Sequence, residues 1–401
     1  MFSWNQDPPA HLKKVKITDD IREVTQAAFV RKPSLEERKE LLNLAAKVGV
    51  HNMFIGFPAI SQQEFEECRE LIRHIEENKL GIKPICLART LIKDLESIVA
   101  LAQASTITVQ ADFFLGTSPI RRRVEDWDLD KMLDRLAEVG KYLSDLDMHY
   151  SLAIEDATRT PADDLDRIIK SAIDAGVKLI CLCDTVGESL PSGAARITQF
   201  TLERIAKAGV NIEVEWHGHN DKGLSVACAM ASAMAGADSI AGTFLGIGER
   251  SGNSPLEQVI VLLYQAGNNN FNLEYIKPYC EKLAEYTEST ITPITPLVGK
   301  QVFATAAGTH SAAILKARKL GIDFEDYVFS GVPASKLGLS QDIIIGPTSG
   351  MTNVRYALEQ IGIPLSEELA SNLLAYAKSK DRWLSRDDIR TYINSQKIEA
   401  V

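Results

Sequence analysis

The sequence predicts an α/β protein of the (β/α)8, TIM-barrel class followed by a smaller, mainly α-helical C-terminal region. Three observations carry that expectation. Short β-rich runs alternate with helix-patterned stretches over roughly 250 residues, the length of one such barrel. Three of the helical stretches stop at glycine, in KVGV, DAGV and KAGV, each leading into the next β-rich run. The rhythm then breaks near residue 270.

The β-rich runs are VKITDDI (15–21), NMFIGFP (52–58), KPICLAR (83–89), TITVQADF (106–113), HYSLAIED (149–156), KLICLCDT (178–185), NIEVEWHGH (211–219) and SIAGTFLGIG (239–248). Between them lie stretches such as SLEERKELLNLAAKVG and TPADDLDRIIKSAIDAG, the second opening on Thr160 and Pro161, a cap-then-proline start. Eight such units imply a parallel sheet closed on itself. The open doubly wound sheet is the competitor, but no G-x-G-x-x-G follows the first run. From about residue 270, FNLEYIKPYCEKLAEYTEST reads as helix and ITPITPLVGKQVF as a proline-punctuated connection. LSEELASNLLAYAKSK and SRDDIRTYINSQK then read as helices. The expected division is a barrel over 1–270 and helical subdomains over 271–401.

Bulk properties narrow the function. Of 401 residues, 45% are hydrophobic, which supports a sizeable core. A formal charge of −10 argues against a nucleic-acid binder. The one basic cluster, Arg121–Arg123, is followed by EDWDLD and reads as a solvated loop or helix start. No run of about 20 apolar residues is present, so no membrane span is expected. The first residues lack the apolar core of a secretion signal, which makes cytoplasm the expected location. The six cysteines have no zinc-ribbon spacing, and Cys181 and Cys183 read as small buried hydrophobes in a reducing compartment.

The sharpest local signal is EVEWHGHNDKG (213–223), which spends two of only seven histidines one residue apart. On a strand, positions i and i+2 share a face, so His217 and His219 would stand side by side, as two ligands to one ion would. In a barrel of this class the active site is built at the C-terminal ends of the strands. Those ends carry Arg22 and Glu23, Glu155 and Asp156, Asp184 and Thr185, His217 and His219, then Glu249, Arg250 and Asn253. A carboxylate with two imidazoles is a divalent-metal set that leaves positions open for water or substrate.

With these segments in view, the chain resembles the barrel family of isopropylmalate, homocitrate and citramalate synthases, to which 3-hydroxy-3-methylglutaryl-CoA lyase is related. The matching segments are TDDIREVTQ (18–26), GFPAIS (56–61), TSPIR (117–121), EDATR (155–159), DTVG (184–187), HGHND (217–221), GIGERSGN (246–253) and AGTHSAAILK (307–316), in family order. The resemblance implies a divalent ion, Zn2+, Mg2+ or Mn2+, held by Glu23, His217 and His219, with Asn253 as a fourth candidate. It implies that Arg22 polarises a substrate ketone, that Thr185 binds its carboxylate, and that Glu155 and His310 take part in proton transfer. The histidine matching His310 reaches the partner subunit's barrel in relatives, so a homodimer is expected. Glu23 is the homocitrate-synthase form of the metal carboxylate. No βαββα-like pattern closes the chain, so leucine inhibition through that kind of domain is not expected.

Three segments depart from the family pattern. Val24 stands where the family has glycine. Phe54 replaces the glutamate that ordinarily pairs with the catalytic arginine, so Arg22 is either less firmly held or held by another residue. The usual HEAGIH reads TAAGTH, with Thr305 and Ala306 in place of a histidine and a glutamate. The reaction class implied is condensation of acetyl-CoA with a 2-oxo acid to a 2-substituted malate, releasing CoA. For the oxo acid, Phe54, ADFFLGTSP and GFPAISQ favour an apolar tail, 2-oxoisovalerate or something bulkier such as phenylpyruvate. A dicarboxylic oxo acid, as in a homocitrate- or citrate-type synthase, would need a cation in the pocket, for which Arg89, Arg121 and Arg159 are the candidates. The same fold also accommodates a retro-Claisen lyase or aldolase, or a degenerate regulatory barrel.

Overall fold

A computed structural model describes Trp4 and residues 7–399. Ala400 and Val401, the end of the expected C-terminal region, lie outside the described residues. Eight strands close in order into one parallel barrel: β1 (Lys16–Asp20), β2 (Asn52–Gly56), β3 (Lys83–Arg89), β4 (Gln110–Gly116), β5 (His149–Glu155), β6 (Leu179–Asp184), β7 (Glu213–Gly218) and β8 (Ser239–Gly242), with β8 pairing back onto β1. The expected barrel is therefore the fold observed. Gly49, Gly176 and Gly209 each take positive φ at the end of a helix, where a side chain would be strained.

Alternation along the strands sorts the side chains. Ile17, Met53, Ile55, Phe113, Leu152, Ile180, Val214, Trp216 and Ile240 are buried in one set. Removing each such side chain from water contributes about 1.5–3 kcal/mol. The alternate set is polar: Thr18 donates to Glu215 at 2.5 Å, Ser239 to the same oxygen at 2.8 Å, and Asn52 to Thr18 at 3.1 Å. The lower barrel is thus plugged by a hydrogen-bonded network instead of the usual branched aliphatics.

The helices begin as their sequences demand. Ser34 and Glu37 form a reciprocal capping box ahead of Leu35–Val48. Ser118 caps Pro119–Glu125, so the Arg121–Arg123 cluster is a helix start. Two local expectations shift. Pro161 itself holds the N-cap of Ala162–Asp174, and the Thr160 hydroxyl instead bonds Asp156 O. The fourth strand runs 110–116 instead of 106–113, because Thr106 turns away to bond Glu76 and the pairing with β5 continues to Gly116 opposite Glu155. The TITV alternation places the expected strand upstream of the observed one.

The chain forms two compact units, Met1–Thr290 and Ile291–Val401. The division falls later than residue 270 because helix Ile276–Thr287 packs in the first unit. There Tyr279 stacks on Phe244 at 4.0 Å and its hydroxyl donates to buried Asp19 at 2.5 Å. The second unit is mainly helical, with helices Gly308–Leu320, Met351–Gln360, Glu367–Lys378 and Arg386–Glu399 and one short strand pair. Its own core gathers Ile345, Val354, Leu358, Leu373, Leu384 and Ile389. Among the described residues no helix is long and apolar enough to cross a membrane.

Candidate active site

The C-terminal ends of the strands open into a cavity of about 330 Å3. Arg22, Glu23, Phe54, Glu155, Thr185, His217 and His219 all line it. Sequence positions spread over nearly two hundred residues meet here because closure brings every strand end to one rim.

Glu23, His217 and His219 each offer a donor atom within 4.8 Å of the others, and all three are buried. His217 is the next-to-last residue of β7 and His219 follows the strand, with ring centroids 5.3 Å apart. The site's electrostatics suit a cation. Burial pushes both imidazoles down, His219 to about 4 with His217 as its next cause, which favours the neutral form that can ligate an ion. Burial works to raise the Glu23 carboxyl, but Arg22 and the two imidazoles outweigh it and hold the group below its usual range. Glu23 Oε2, His219 Nδ1 and Asn253 Oδ1 are buried without a hydrogen-bond partner in the protein. Unpartnered buried donor-set atoms are what a site built for an ion would leave.

Asn253 arrives from the loop after β8, bridging to His219 and setting its amide nitrogen 3.3 Å from His217 Nε2. A Cβ on Gly248 would strike Asn253 Oδ1 at 1.8 Å, so only glycine lets that amide turn inward. Arg22 is half-buried, and its Nη2 donates to Asp20 Oδ2 at 2.7 Å and to Glu23 Oε1 at 2.9 Å. Phe54 lies against it, the guanidinium carbon 5.8 Å from the ring centroid. The Thr185 hydroxyl accepts the Asp156 N–H at 2.8 Å, leaving its own hydrogen to donate. Burial raises the Glu155 carboxyl, opposed by Arg121, whose Nε donates to it at 2.9 Å. A Cβ on Gly116 would meet Arg121 at 2.8 Å, so β4 ends in glycine where Arg121 passes over it.

One expected site residue stands beside this cavity instead of lining it, and another belongs to the second unit, as expected. Arg121 backs Glu155 and faces an adjoining cavity shared with Arg89 and Trp127. His310 lies in the second unit, exposed, with its ring stacked on Phe329 at 4.1 Å. Sequence reasoning missed Asp20, Leu87 and the two cysteines as cavity residues, and reached Phe57, Asp112 and Phe114 only as members of GFPAISQ and ADFFLGTSP; all of them line the cavity. Cys181 is buried as expected, but both thiols face the cavity, 3.8 Å apart. The signal was there in the period-2 alternation of ADFFL and CLC; only strand boundaries were needed to say which face turned inward.

Fold and site together define a TIM barrel with a divalent-metal donor set at its catalytic face. Comparison with known proteins agrees. The chain belongs to the HMGL-like family, which residues 14–279 match. It is 28% identical over 369 residues to a homocitrate synthase, AksA, of Methanopyrus kandleri, covering 91% of this chain and 86% of that one. It is 31% identical over 381 residues to a 2-isopropylmalate synthase of Pyrococcus abyssi, covering 90% and 74%. Among solved structures, the Bacillus subtilis HMG-CoA lyase superposes with a TM-score of 0.58 at 17% identity, over 71% of this chain and 97% of that one. That likeness speaks to the fold.

Proposed function

We propose that this protein is an acyltransferase condensing acetyl-CoA with an apolar 2-oxo acid, 2-oxoisovalerate or a bulkier one such as phenylpyruvate, to a 2-substituted malate. The reaction class is supported by the relatives named above together with the donor set. The observation that carries the tail assignment is the cavity lining. Among the described residues Arg22 is the one arginine or lysine in it, and Phe54, Phe57, Leu87 and Phe114 supply apolar surface. The cations a second carboxylate would need are committed elsewhere: Arg89 to Asp94 at 2.7 Å, Arg121 to Glu155 at 2.9 Å and to Glu125, and Arg159 to Asp156 at 2.5 Å.

A divalent ion held by Glu23, His217 and His219, with Asn253 beside them, would supply Lewis acidity toward a chelating 2-oxo acid. The chain's own groups do the rest. Arg22, fixed by two carboxylates, places positive charge where the ketone oxygen becomes an alkoxide. Thr185 donates its free hydroxyl hydrogen to the substrate carboxylate. Glu155, its basicity increased by burial, accepts a proton from the acetyl methyl. The new carbon–carbon bond joins that carbon to the ketone carbon, the ketone oxygen ends as a hydroxyl, and water cleaves the thioester to release CoA. His310 is assigned to proton transfer on the resemblance of AGTH alone, and with it a homodimer in which each copy supplies this residue to the other.

Thiol release from acetyl-CoA tests the reading directly, with 2-oxoisovalerate, phenylpyruvate, 2-oxoglutarate and oxaloacetate offered to the metal-loaded protein. The apolar acids should give the highest kcat/KM. A dicarboxylate giving the highest value replaces the tail assignment with a homocitrate-type one, and no release with any acid removes the synthase reading.

A further inference from the structure

The cavity's one arginine is held in an unexpected way. Arg22 Nη2 donates to Asp20 Oδ2 at 2.7 Å, and Asp20 is only 1% exposed. The other oxygen of the same carboxylate, Oδ1, accepts the backbone N–H of Glu23 at 3.2 Å and so caps the helix that carries both residues. One side chain therefore fixes the guanidinium and, through the backbone, the metal-facing glutamate. In the β1–β2 register, the Cα partner of Asp20 is Phe54. The position where the resemblance leads one to expect the arginine's carboxylate thus holds a ring, and the carboxylate stands one strand over, directly beside it.

We propose that Asp20 is the positioning residue for Arg22, and that moving this carboxylate from β2 to β1 is what frees position 54 for an aromatic wall on the substrate side. Charge makes the two positions mutually exclusive. Asp20 and Glu23 already give Arg22 two carboxylates, and a third at position 54 would crowd like charges around one cation in a desolvated site. Without Asp20, the only carboxylate left on Arg22 Nη2 would be Glu23 Oε1. The guanidinium would then be drawn onto the carboxylate of the metal set and away from the ketone. The inference rests on the synthase reading for its kinetic consequence, but the anchoring itself does not.

Two measurements separate these parts. The first is a thermal-stability cycle on metal-free protein with Asp20→Asn, Arg22→Met and the double variant; Asn keeps the helix cap and removes the charge. A double variant melting no lower than the worse single variant is expected, and additive losses would overturn the anchoring. The second is kinetic, with the best 2-oxo acid. Asp20→Asn should lower kcat by about a hundredfold, the usual consequence of a catalytic group displaced by about an ångström, while KM for acetyl-CoA stays at the native value. Asp20→Thr/Phe54→Glu should recover turnover lost in Asp20→Thr and lose the preference for bulky tails. An unchanged kcat in Asp20→Asn, or a folded double variant no faster than Asp20→Thr, would overturn the positioning role. If the native protein turns over no 2-oxo acid, the synthase reading fails while the stability cycle still decides whether Asp20 holds Arg22.

Discussion

Stripping and restoring a divalent ion should move the melting temperature of this protein, and the site's geometry sets how far. Glu23, His217 and His219 are buried donors that an ion would reach in the folded barrel and not in the unfolded chain. At a free ion concentration of 100 Kd, binding to the folded state alone stabilises it by about 2.7 kcal/mol. For a unit as large as Met1–Thr290, about 2 °C per kcal/mol gives a rise of roughly 5 °C. His217→Ala removes one of three protein donors. Losing only an outer partner of a ligand already costs roughly 10–100-fold in affinity, so a hundredfold loss is a modest expectation for a ligand itself. The same ion concentration then equals Kd, the stabilisation falls to about 0.4 kcal/mol, and the rise shrinks to about 1 °C. The assay is scanning fluorimetry of chelator-treated native and variant protein, with Zn2+, Mn2+ and Mg2+ set from the native Kd by calorimetry. Because His219 is pushed down to about 4, the native rise should persist from pH 7.5 to pH 6, where an exposed histidine pair would be losing its lone pairs to protons. An equal rise in native and His217→Ala protein would refute the assignment of the donor set.

Three further outcomes are expected. Arg121→Met removes the cation that opposes burial at Glu155, so its carboxyl should rise further and the acid limb of the kcat/KM profile should move to higher pH; an unmoved limb would take Glu155 out of the proton-accepting role. Asp112→Asn should change the pH dependence of stability. Burial raises this carboxyl from 3.8 to about 8, so the folded chain keeps a proton that the unfolded chain releases. That contribution is full below about pH 4 and is lost as pH climbs toward 8, at up to about 1.4 kcal/mol per unit. The melting temperature of Asp112→Asn relative to native should therefore rise between pH 5 and pH 8, and a flat difference would contradict the shift. Mixing inactive His310→Ala with inactive Arg22→Ala protein should restore part of the activity through hybrid dimers, and none should return, after confirmed subunit exchange, if His310 serves its own subunit or none.

Much of the site was legible because its chemistry is written in short-range patterns. His217 and His219 share a face by strand alternation alone, Glu155 and Thr185 sit where a strand ends, and Glu23 sits in the short helix that directly follows the first strand. Those positions need no long-range information beyond the inference that the sheet closes. Leu87 lies on a strand with the expected bounds and was passed over because an apolar residue in KPICLAR carries no sign of facing a cavity, whereas Asp112 was not legible because a one-residue uncertainty in a strand's register turns the same side chain from core to cavity. Here β4 lay downstream of the expected run. Asp20 was hidden for a different reason. Its partner Arg22 is two residues away, and nothing in the local sequence says whether that pair faces a desolvated cavity or water.

By itself the sequence determined the barrel, the order of its strands, and the residues that could hold an ion. Hydrophobic period, glycine stops and the placing of ionisable groups at strand ends are local properties, fixed by backbone geometry. Only the tertiary structure decided which carboxylate holds Arg22, that Arg89, Arg121 and Arg159 are already paired, and that the helix Ile276–Thr287 belongs to the barrel unit. Those outcomes depend on pairwise distances across the closed sheet and on burial. Charge neutralisation and desolvation fall off over a few ångströms, and a linear sequence carries no record of them.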